Sequence, residues 1–505
     1  MGRIKPTLIL GGPGCGKTTA LLKIVEEAFA KGVAPDRIAY VAFTRKAAQE
    51  ARTRMAEKFG IESDDIPYFR TLHSFAFRYI DAKPAQILDG RKLREYAKAE
   101  GLDLSDSFID EFGQSVPLPI TSDDRAFSAI AMARLTERDL GDVAGEMDCN
   151  MERVREIAAD FEEFKDEAAV FDFTDMLTRF VNEATLPEFD LLIVDEAQDL
   201  SRLQWRMVDR LIDHSRDVYF AGDDDQAIYA WAGADIEHFL TLDADREILP
   251  TSYRLKSEVF TACQKVIAHC NDRYEKDWSP HAQGGLVTST TDLLKCGLDD
   301  GTWYVLARTN SLVRSLAKQL RSEGYAFNQP TAKGMQSSVA VDPVQAVLIY
   351  ENLRKGGQFT GDKMQLCWSY IDPRRRPEAA PVFDDLSLYG IDDLCRTGFV
   401  ADASWLDALS LTGAMRTYIR MLRAKGESLI KEPRITVSTI HGVKGGEADN
   451  VVIWQKLTGL TYKSWLKADP QEYRTLFTAM SRAREQLIFL DTRSKQQYNV
   501  ERLLI

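Results

Sequence analysis

The sequence lacks the features that mark a metal-binding, disulfide-bonded or membrane protein. Its seven cysteines contain no C-x-x-C pair, which argues against zinc, an iron–sulfur cluster or a redox dithiol. This cysteine usage fits a reducing compartment, and we expect a cytoplasmic protein. No apolar run approaches the ~20 residues of a membrane span, and we expect no targeting segment and no contact with a membrane.

The chain also lacks an excess of basic charge. Lysine and arginine number 64 against 77 aspartates and glutamates, and the formal net charge is −13. This balance excludes a surface covered with phosphate-binding charge, so a nucleic-acid site must be a local groove. A chain of 505 residues with 45% hydrophobic residues is long enough to bury several cores.

Short apolar runs rich in β-branched residues alternate with helical patterns. They are Thr7–Leu10, Arg37–Phe43, Leu191–Val194, Val218–Ala221, Trp303–Ala307, Arg434–Ile440, Val451–Trp454 and Leu487–Leu490. Such alternation predicts parallel sheets covered by helices on both faces. Because the runs form two clusters, we predict an α/β protein with two sheets.

Helix-rich stretches near 82–170 and 331–432 interrupt the two clusters and are interpreted as insertions. The second contains a basic triplet, Arg374–Arg376, among prolines. The composition favours a surface loop there, and a nucleic-acid contact is the alternative.

A phosphate-binding loop follows the first predicted strand and opens a helical run, Thr19–Ala30. It reads Gly11-Gly12-Pro13-Gly14-Cys15-Gly16-Lys17-Thr18 and fits the pattern G-x-x-x-x-G-K-[ST]. Its glycines allow backbone N–H groups to face phosphates at the amino terminus of a helix. We expect Lys17 to reach the β- and γ-phosphates of ATP and Thr18 to bind Mg²⁺.

Two further strands end in acidic or amide groups. The run Leu191–Val194 ends at Asp195 and Glu196, which we assign to Mg²⁺ and to the general base that activates water. The run Val218–Ala221 leads into Asp223–Gln226, and we expect Gln226 to sense the γ-phosphate and orient water.

These motifs and others occur in the order found in UvrD/Rep-type superfamily 1 DNA helicases, which the chain resembles. The matching segments are FTRKAAQEARTRM at Phe43–Met55, TLHSF at Thr71–Phe75, FDFTDML at Phe171–Leu177, DEAQD at Asp195–Asp199, GDDDQAIYAW at Gly222–Trp231, the pair Tyr253-Arg254, TIHGVKGGE at Thr439–Glu447 and MSRAR at Met480–Arg484. With the phosphate loop they extend over residues 11–484, and an ordered series is far more specific than one phosphate loop.

The resemblance implies two RecA-like lobes with parallel sheets, each carrying a mostly helical insertion. The implied divisions are 1–81 with 171–249 for the first lobe, 82–170 for its insertion, 250–330 with 433–505 for the second lobe, and 331–432 for a reduced second insertion. It also implies that Arg254 and Arg482 act on the γ-phosphate, that Tyr253 stacks on adenine, and that Glu447 accepts from the ribose. Either arginine is alternatively a surface ion pair.

The resemblance further implies a track for single-stranded DNA. The implied contacts are Phe43, Thr44, His73, Ser74, Tyr229, Trp231, Arg308, Asn310 and His441. Aromatic side chains suit such a track because any base can stack on them. Taken alone, Phe43 at a strand end is more typical of a core position.

The chain departs from the family at several points. The phosphate loop begins ten residues after Met1, which leaves no room for the upstream glutamine motif that reads adenine, so the resemblance does not establish a strict preference for ATP. Thr19 stands where relatives carry an arginine beside the base, and Ala232 stands where they carry an arginine on DNA. Cys15 lies near a helix amino terminus that favours a thiolate. We hypothesise that its alkylation inhibits hydrolysis, and a small inert residue is the alternative.

The expected function is an ATP- and Mg²⁺-dependent DNA helicase that moves 3′-to-5′ on single-stranded DNA and binds junctions with duplex, as a monomer or weak oligomer. One alternative is a translocase that unwinds poorly. Others are a metabolic P-loop enzyme, which leaves the motifs after residue 250 without a role, and a noncatalytic DNA-binding subunit. Pathway partners in replication, repair or defence do not follow from the sequence.

Overall fold

The structure is a computed structural model that describes residues 5–104, 107–109, 115–117, 121–331, 334–375, 382–384, 386–396 and 403–504. Arg376, the last residue of the basic triplet, lies outside these ranges. Among the described residues no helix combines the length and apolar character needed to cross a bilayer.

Strands and helices alternate along much of the chain. The strands are β1 (Thr7–Leu10), β2 (Ile38–Ala42), β3 (Phe69–Thr71), β4 (Ser107–Ile109), β5 (Ser115–Pro117), β6 (Phe189–Val194), β7 (Ser215–Gly222), β8 (Asp245–Ile248), β9 (Thr251–Lys256), β10 (Ser279–Ala282), β11 (Leu286–Thr290), β12 (Trp303–Ala307), β13 (Phe327–Thr331), β14 (Gly334–Ser337), β15 (Phe359–Thr360), β16 (Leu388–Tyr389), β17 (Ile435–Thr439), β18 (Ala448–Trp454) and β19 (Ala483–Leu490). The helices are α1 (Lys17–Ala30), α2 (Arg45–Phe59), α3 (Leu72–Tyr79), α4 (Gly90–Ala99), α5 (Ser122–Thr136), α6 (Leu140–Glu146), α7 (Met151–Glu167), α8 (Phe173–Glu183), α9 (Arg202–Ile212), α10 (Ile236–Leu240), α11 (Ser257–Ile267), α12 (Asn310–Ser322), α13 (Asp342–Leu353), α14 (Gly361–Tyr370), α15 (Ile391–Cys395), α16 (Trp405–Ala408), α17 (Gly413–Ala424), α18 (Gly459–Leu466), α19 (Pro470–Met480) and α20 (Glu501–Leu504).

The chain divides into two compact units. The first comprises residues 1–287, 460–487 and 499–505, and the second comprises 288–459 and 488–498. The four-part division expected from the resemblance stays a prediction.

The first unit is built on a six-stranded parallel sheet of order β3-β2-β6-β7-β1-β8. Successive side chains of a strand point to opposite faces, and both faces are apolar here. In β1, Leu8 and Leu10 join one core with α3, α8 and α9, and Ile9 joins a second core with α1 and α2. The polar loops at the strand ends are therefore held by rigid elements on both sides.

The helices α4 to α7 have an apolar core of their own, to which Tyr96, Phe127 and Phe161 contribute. A buried ion-pair group lies between this helical segment and the start of α8: Lys165 contacts Asp175 at 2.8 Å and Asp172 at 3.3 Å.

Five strands of the second unit, β12, β13, β14, β17 and β18, belong to a seven-stranded sheet of order β11-β19-β18-β12-β17-β13-β14, and β12 pairs in parallel with β17 and β18. Helices α13 to α17 form a separate core around Tyr350 and Trp368. The predicted α/β class, with two parallel sheets and helical insertions, is confirmed. The antiparallel pair β13–β14 and the short parallel pair β9–β10 were not predicted.

Candidate nucleotide-binding site

The phosphate-binding loop connects β1 to α1 at the carboxyl edge of the first sheet. Gly14 and Gly16 have φ of +75° and +82°, the left-handed region in which glycine is favoured. Lys17 is buried and donates from Nζ to the carbonyl oxygen of Gly11 at 2.8 Å. The ammonium group is thus folded back over the loop where phosphates bind in P-loop proteins.

Asp195 follows β6 and is 2% exposed. Its Oδ2 accepts from the Thr18 hydroxyl at 3.1 Å and from the Tyr40 hydroxyl at 3.0 Å. Burial raises the pKa of Asp195 to about 6, and the adjacent Glu196 carboxylate contributes to the rise. The hydrogen bonds from Tyr40 and Thr18 oppose it, since they favour the carboxylate.

Tyr40 was not among the predicted site residues. Tyr40 pairs in register with Ile193, which is two residues before Asp195. The side chains of Tyr40 and Asp195 therefore point to the same face of the sheet, the face that α1 covers. The sequence signal for Tyr40 was a hydroxyl group in an otherwise apolar strand, beside the strand that ends at Asp195.

Glu196 has φ of +55°, which is uncommon outside glycine and occurs where the surrounding structure holds a strained residue. Its carboxylate accepts from Gln198 Nε2 at 2.5 Å, and Gln198 Oε1 accepts from the backbone N–H of Asp223 at 3.1 Å. These bonds connect the loop after β6 to the loop after β7.

The loop after β7 holds three consecutive buried aspartates, Asp223, Asp224 and Asp225. Lys276, with a side chain 0% exposed, contacts them at 2.7, 2.6 and 2.9 Å respectively. Arg273 donates two hydrogen bonds to Asp225, at 2.8 and 2.6 Å. Burial opposes ionisation of Asp223, but Lys276 holds the pKa of this carboxyl below its ordinary value.

Gln226 connects this loop to the segment that follows α19. Its Nε2 donates to Asp223 at 2.7 Å, and its Oε1 accepts from the Arg482 guanidinium. Arg482 is 1% exposed and also donates from Nε to the carbonyl oxygen of Thr478 at 3.0 Å. Arg482 is therefore a buried hydrogen-bond partner of Gln226 and not the surface ion pair that was the alternative.

Strand β9 contacts the phosphate loop directly. The backbone N–H of Tyr253 donates to the Gly14 carbonyl at 2.9 Å, and a Cβ on Gly14 would lie 2.4 Å from the Cβ of Arg254. Tyr253 itself is 67% exposed. Trp278, which sequence reasoning missed, lies over Gly12, where a Cβ would meet its ring at 2.4 Å. Thr19, the first residue after the loop's threonine, is exposed.

The hypothesis of a reactive Cys15 is not supported. The thiol is 5% exposed, and burial raises its pKa to about 11, so the helix amino terminus does not produce a thiolate. The desolvation of a buried thiol outweighs the dipole at this position. The alternative, a small inert residue, agrees with the structure.

The predicted DNA contacts of the first unit differ in exposure. The rings of Phe43 and Tyr229 are 5% and 3% exposed and lie 5.3 Å apart in the core, whereas Trp231 is 51% exposed. Thr44 caps α2, accepting from Ala47 N–H at 3.2 Å. A base would reach Phe43 or Tyr229 only after those rings are uncovered, and their roles stay predictions.

His73 and Ser74 lie at the start of α3. His73 is 5% exposed, packs edge-on against Phe173, and has a pKa lowered by burial to about 4. Ser74 accepts from Arg70 at 3.1 Å. His73 is thus a neutral core histidine in this structure.

The remaining predicted contacts belong to the second unit. Arg308 follows β12 and His441 follows β17, and these strands pair in parallel with Ala307 opposite Thr439. Both residues therefore leave the same edge of the sheet. Asn310 opens α12 and is exposed, as is Glu447 just before β18.

The residues around Thr18 suit a magnesium–nucleotide complex better than a metal held by protein alone. Within the described ranges, no group of three or more His, Cys, Asp or Glu side chains is arranged to hold a metal ion. One carboxylate, Asp195, and one hydroxyl, Thr18, at 3.1 Å from each other fit Mg²⁺, which takes its other ligands from phosphates and water.

A phosphate loop, an adjacent acidic strand end, and a glutamine–arginine pair beside them define a P-loop nucleotide-binding protein. Residues 3–247 match the family described as UvrD/REP helicase N-terminal domain, and residues 434–490 match the UvrD-like helicase C-terminal domain. The chain therefore belongs to the UvrD/Rep-type superfamily 1 helicases.

Individual relatives are more distant. The ATP-dependent DNA helicase PcrA of Bacillus subtilis is 28% identical over 299 residues, covering 55% of this chain and 40% of its own length. PcrA of Staphylococcus epidermidis is 26% identical over 310 residues, covering 56% and 41%. YjcD of Bacillus subtilis is 24% identical over 390 residues, covering 68% and 49%. The chain spans less than half of the length of these relatives.

Proposed function

We propose that the chain hydrolyses ATP and uses the reaction to move 3′-to-5′ along single-stranded DNA and to unwind duplex at a junction. The observation that carries the proposal is the contact between Arg482 and Gln226. It brings a planar cation from the end of the chain to the glutamine beside the phosphate loop. A guanidinium in this position suits the charge that spreads over a transferred phosphoryl group.

The contacts support a set of proposed roles. Lys17 and the loop N–H groups bind the phosphates, and Thr18 with Asp195 would hold Mg²⁺, which supplies charge neutralisation when bound. Glu196 accepts a proton from the attacking water, with its carboxylate held by Gln198. Gln226 orients the water, and Arg254 and Arg482 stabilise negative charge.

The proposed strand contacts are Trp231 in the first unit and Arg308, Asn310 and His441 in the second. Trp231 is exposed and its ring lies 6.2 Å from that of Tyr229, which belongs to the same loop as Gln226. A change in the position of Gln226 on hydrolysis can therefore move Trp231, the proposed base-stacking residue, through the short backbone segment that joins them. We also propose that the four-part domain division applies, with Tyr253 on adenine and Glu447 on ribose.

The test compares ATP hydrolysis by the full chain and by Glu196→Gln, with and without a single-stranded DNA oligonucleotide. We expect strong stimulation of the parent and loss of turnover in the variant, which still binds a fluorescent ATP analogue. Strand displacement on substrates with 3′ or 5′ overhangs then separates a helicase from a translocase that unwinds poorly. A parent ATPase indifferent to DNA would contradict the proposal.

A further inference from the structure

Lys276 has no role in the chemistry described above, yet its ammonium group is enclosed by the loop that contains Gln226. The side chain is 0% exposed and contacts three carboxylates within 2.9 Å. Burial opposes its charge, but the three aspartates raise its pKa well above the usual range, so it is a permanent cation. A buried charge of this kind is costly unless it is paired, and removing either side leaves the other uncompensated.

The carboxylate of Asp223 is shared between Lys276 and Gln226. Its Oδ1 accepts from Lys276 at 2.7 Å, and its Oδ2 accepts from Gln226 Nε2 at 2.7 Å. An ionised carboxylate is an acceptor only, so the NH₂ end of the Gln226 amide must face it. The carbonyl end of the same amide then faces the Arg482 guanidinium, to which it is bonded.

Without the cation, Asp223 would be a fully buried carboxyl that favours its protonated form. A protonated carboxyl donates as well as accepts, so it no longer holds the amide in one orientation, and the amide oxygen can turn toward it. The NH₂ end would then face the guanidinium, where two donors oppose each other. The charge at Lys276 therefore restricts Gln226, from the Asp223 side, to the orientation that Arg482 requires.

We propose that Lys276 is a positioning residue for hydrolysis, which acts through Asp223 to fix the orientation of the Gln226 amide and its bond to Arg482. The inference rests on the proposed hydrolysis of ATP and adds a residue to it. Lys276 touches neither the nucleotide nor the water in this scheme. Its effect is on the rate of turnover and not on nucleotide binding.

Arg273 is a matched control in the same cluster. It is also a cation paired with a buried aspartate, but its two hydrogen bonds go to Asp225. If the cluster serves only to neutralise buried acid, Lys276→Met and Arg273→Met lower stability and leave kcat unchanged. If Lys276 orients Gln226, only Lys276→Met changes kcat.

The experiment measures basal ATPase kcat and KM, binding of a fluorescent ATP analogue and the urea midpoint for the full chain and each variant. We expect Lys276→Met to lower kcat by about 10²-fold, as for a misplaced catalytic group, with nucleotide affinity retained. Because both changes act on one contact, Lys276→Met combined with Gln226→Ala should be no slower than Gln226→Ala alone.

Asp223→Asn provides an independent variant should Lys276→Met not fold, because it removes the shared carboxylate with little change of shape. The same loss of kcat is expected. Parent-like kcat in either folded variant, or a double variant slower by the product of the two single effects, would overturn the inference. The basal assay contains no DNA, so a parent that hydrolyses ATP without stimulation by DNA contradicts the proposed function and leaves this inference intact.

Discussion

The contact between the phosphate loop and Trp278 makes Gly12→Ala a direct test of how closely the loop is packed. The added Cβ would lie 2.4 Å from Cη2 and 2.5 Å from Cζ2 of the Trp278 ring. This is roughly 1 Å short of ordinary van der Waals contact. The backbone at Gly12 lies outside the left-handed region, so the steric contact and not backbone strain decides the result.

Trp278 is 6% exposed and packs edge-on against Phe260, so the loop and not the ring is expected to move. A displacement of about 1 Å at a catalytic centre costs about 10²-fold in rate, or about 2.7 kcal/mol of transition-state stabilisation. We expect kcat for ATP hydrolysis to fall by that factor in Gly12→Ala. Trp278→Phe, which removes the outer edge of the indole, should recover part of the loss in the double variant.

The assay is steady-state hydrolysis at saturating ATP, with Gly145→Ala as the control. Gly145 lies in α6, and a Cβ there would meet nothing within 4 Å. An unchanged kcat in Gly12→Ala would refute the packing argument. A loss of kcat that Trp278→Phe does not relieve would show that another contact limits the loop.

Three further outcomes follow from burial. His73 has a pKa of about 4 in the folded state and about 6.5 when unfolded. Burial of the neutral ring therefore makes its full contribution to the free energy of unfolding above pH 6.5, and this contribution is lost as the pH falls towards 4. The loss reaches about 3 kcal/mol, and urea midpoints should fall less steeply with pH in His73→Phe than in the parent. For Cys15, mass spectrometry after iodoacetamide treatment at pH 8 should show labelling far slower than at the exposed Cys395; equal rates would contradict this. Lys165→Met should lose about 1.5–3 kcal/mol in urea unfolding, because it removes a buried cation from Asp172 and Asp175 and leaves Arg134 as their remaining partner, whereas Arg138→Met, in an exposed pair, should lose much less. Equal losses in these two variants would contradict the ion-pair assignment.

Local structure was predictable because short apolar runs and helical patterns determine it. The run Thr7–Leu10 and the run Trp303–Ala307 were predicted to the residue, and the predicted helical run Thr19–Ala30 is α1, which begins two residues earlier at Lys17. In these segments the hydrophobic pattern and the packed structure favour the same conformation.

Contacts between distant segments were not predictable in the same way. Lys276 and Trp278 lie in an unremarkable polar stretch, and only packing brings them to Asp223 and Gly12. Tyr229 was expected on a DNA surface because of its motif, but the loop that carries it turns the ring into the core. A motif identifies a residue's neighbours in sequence, whereas exposure depends on which elements cover it.

The coupling of hydrolysis to movement is tested most directly by timing the arrival of the protein at a labelled end of single-stranded DNA. Arrival is measured by stopped-flow fluorescence after addition of ATP and Mg²⁺. Movement driven by hydrolysis toward the 5′ end predicts a lag that lengthens with oligonucleotide length when the label is at the 5′ end, and no such lag with Glu196→Gln. A length-dependent lag only at the 3′ end would contradict the proposed direction. No length dependence at either end, with ATP hydrolysis intact, would contradict the coupling of hydrolysis to movement.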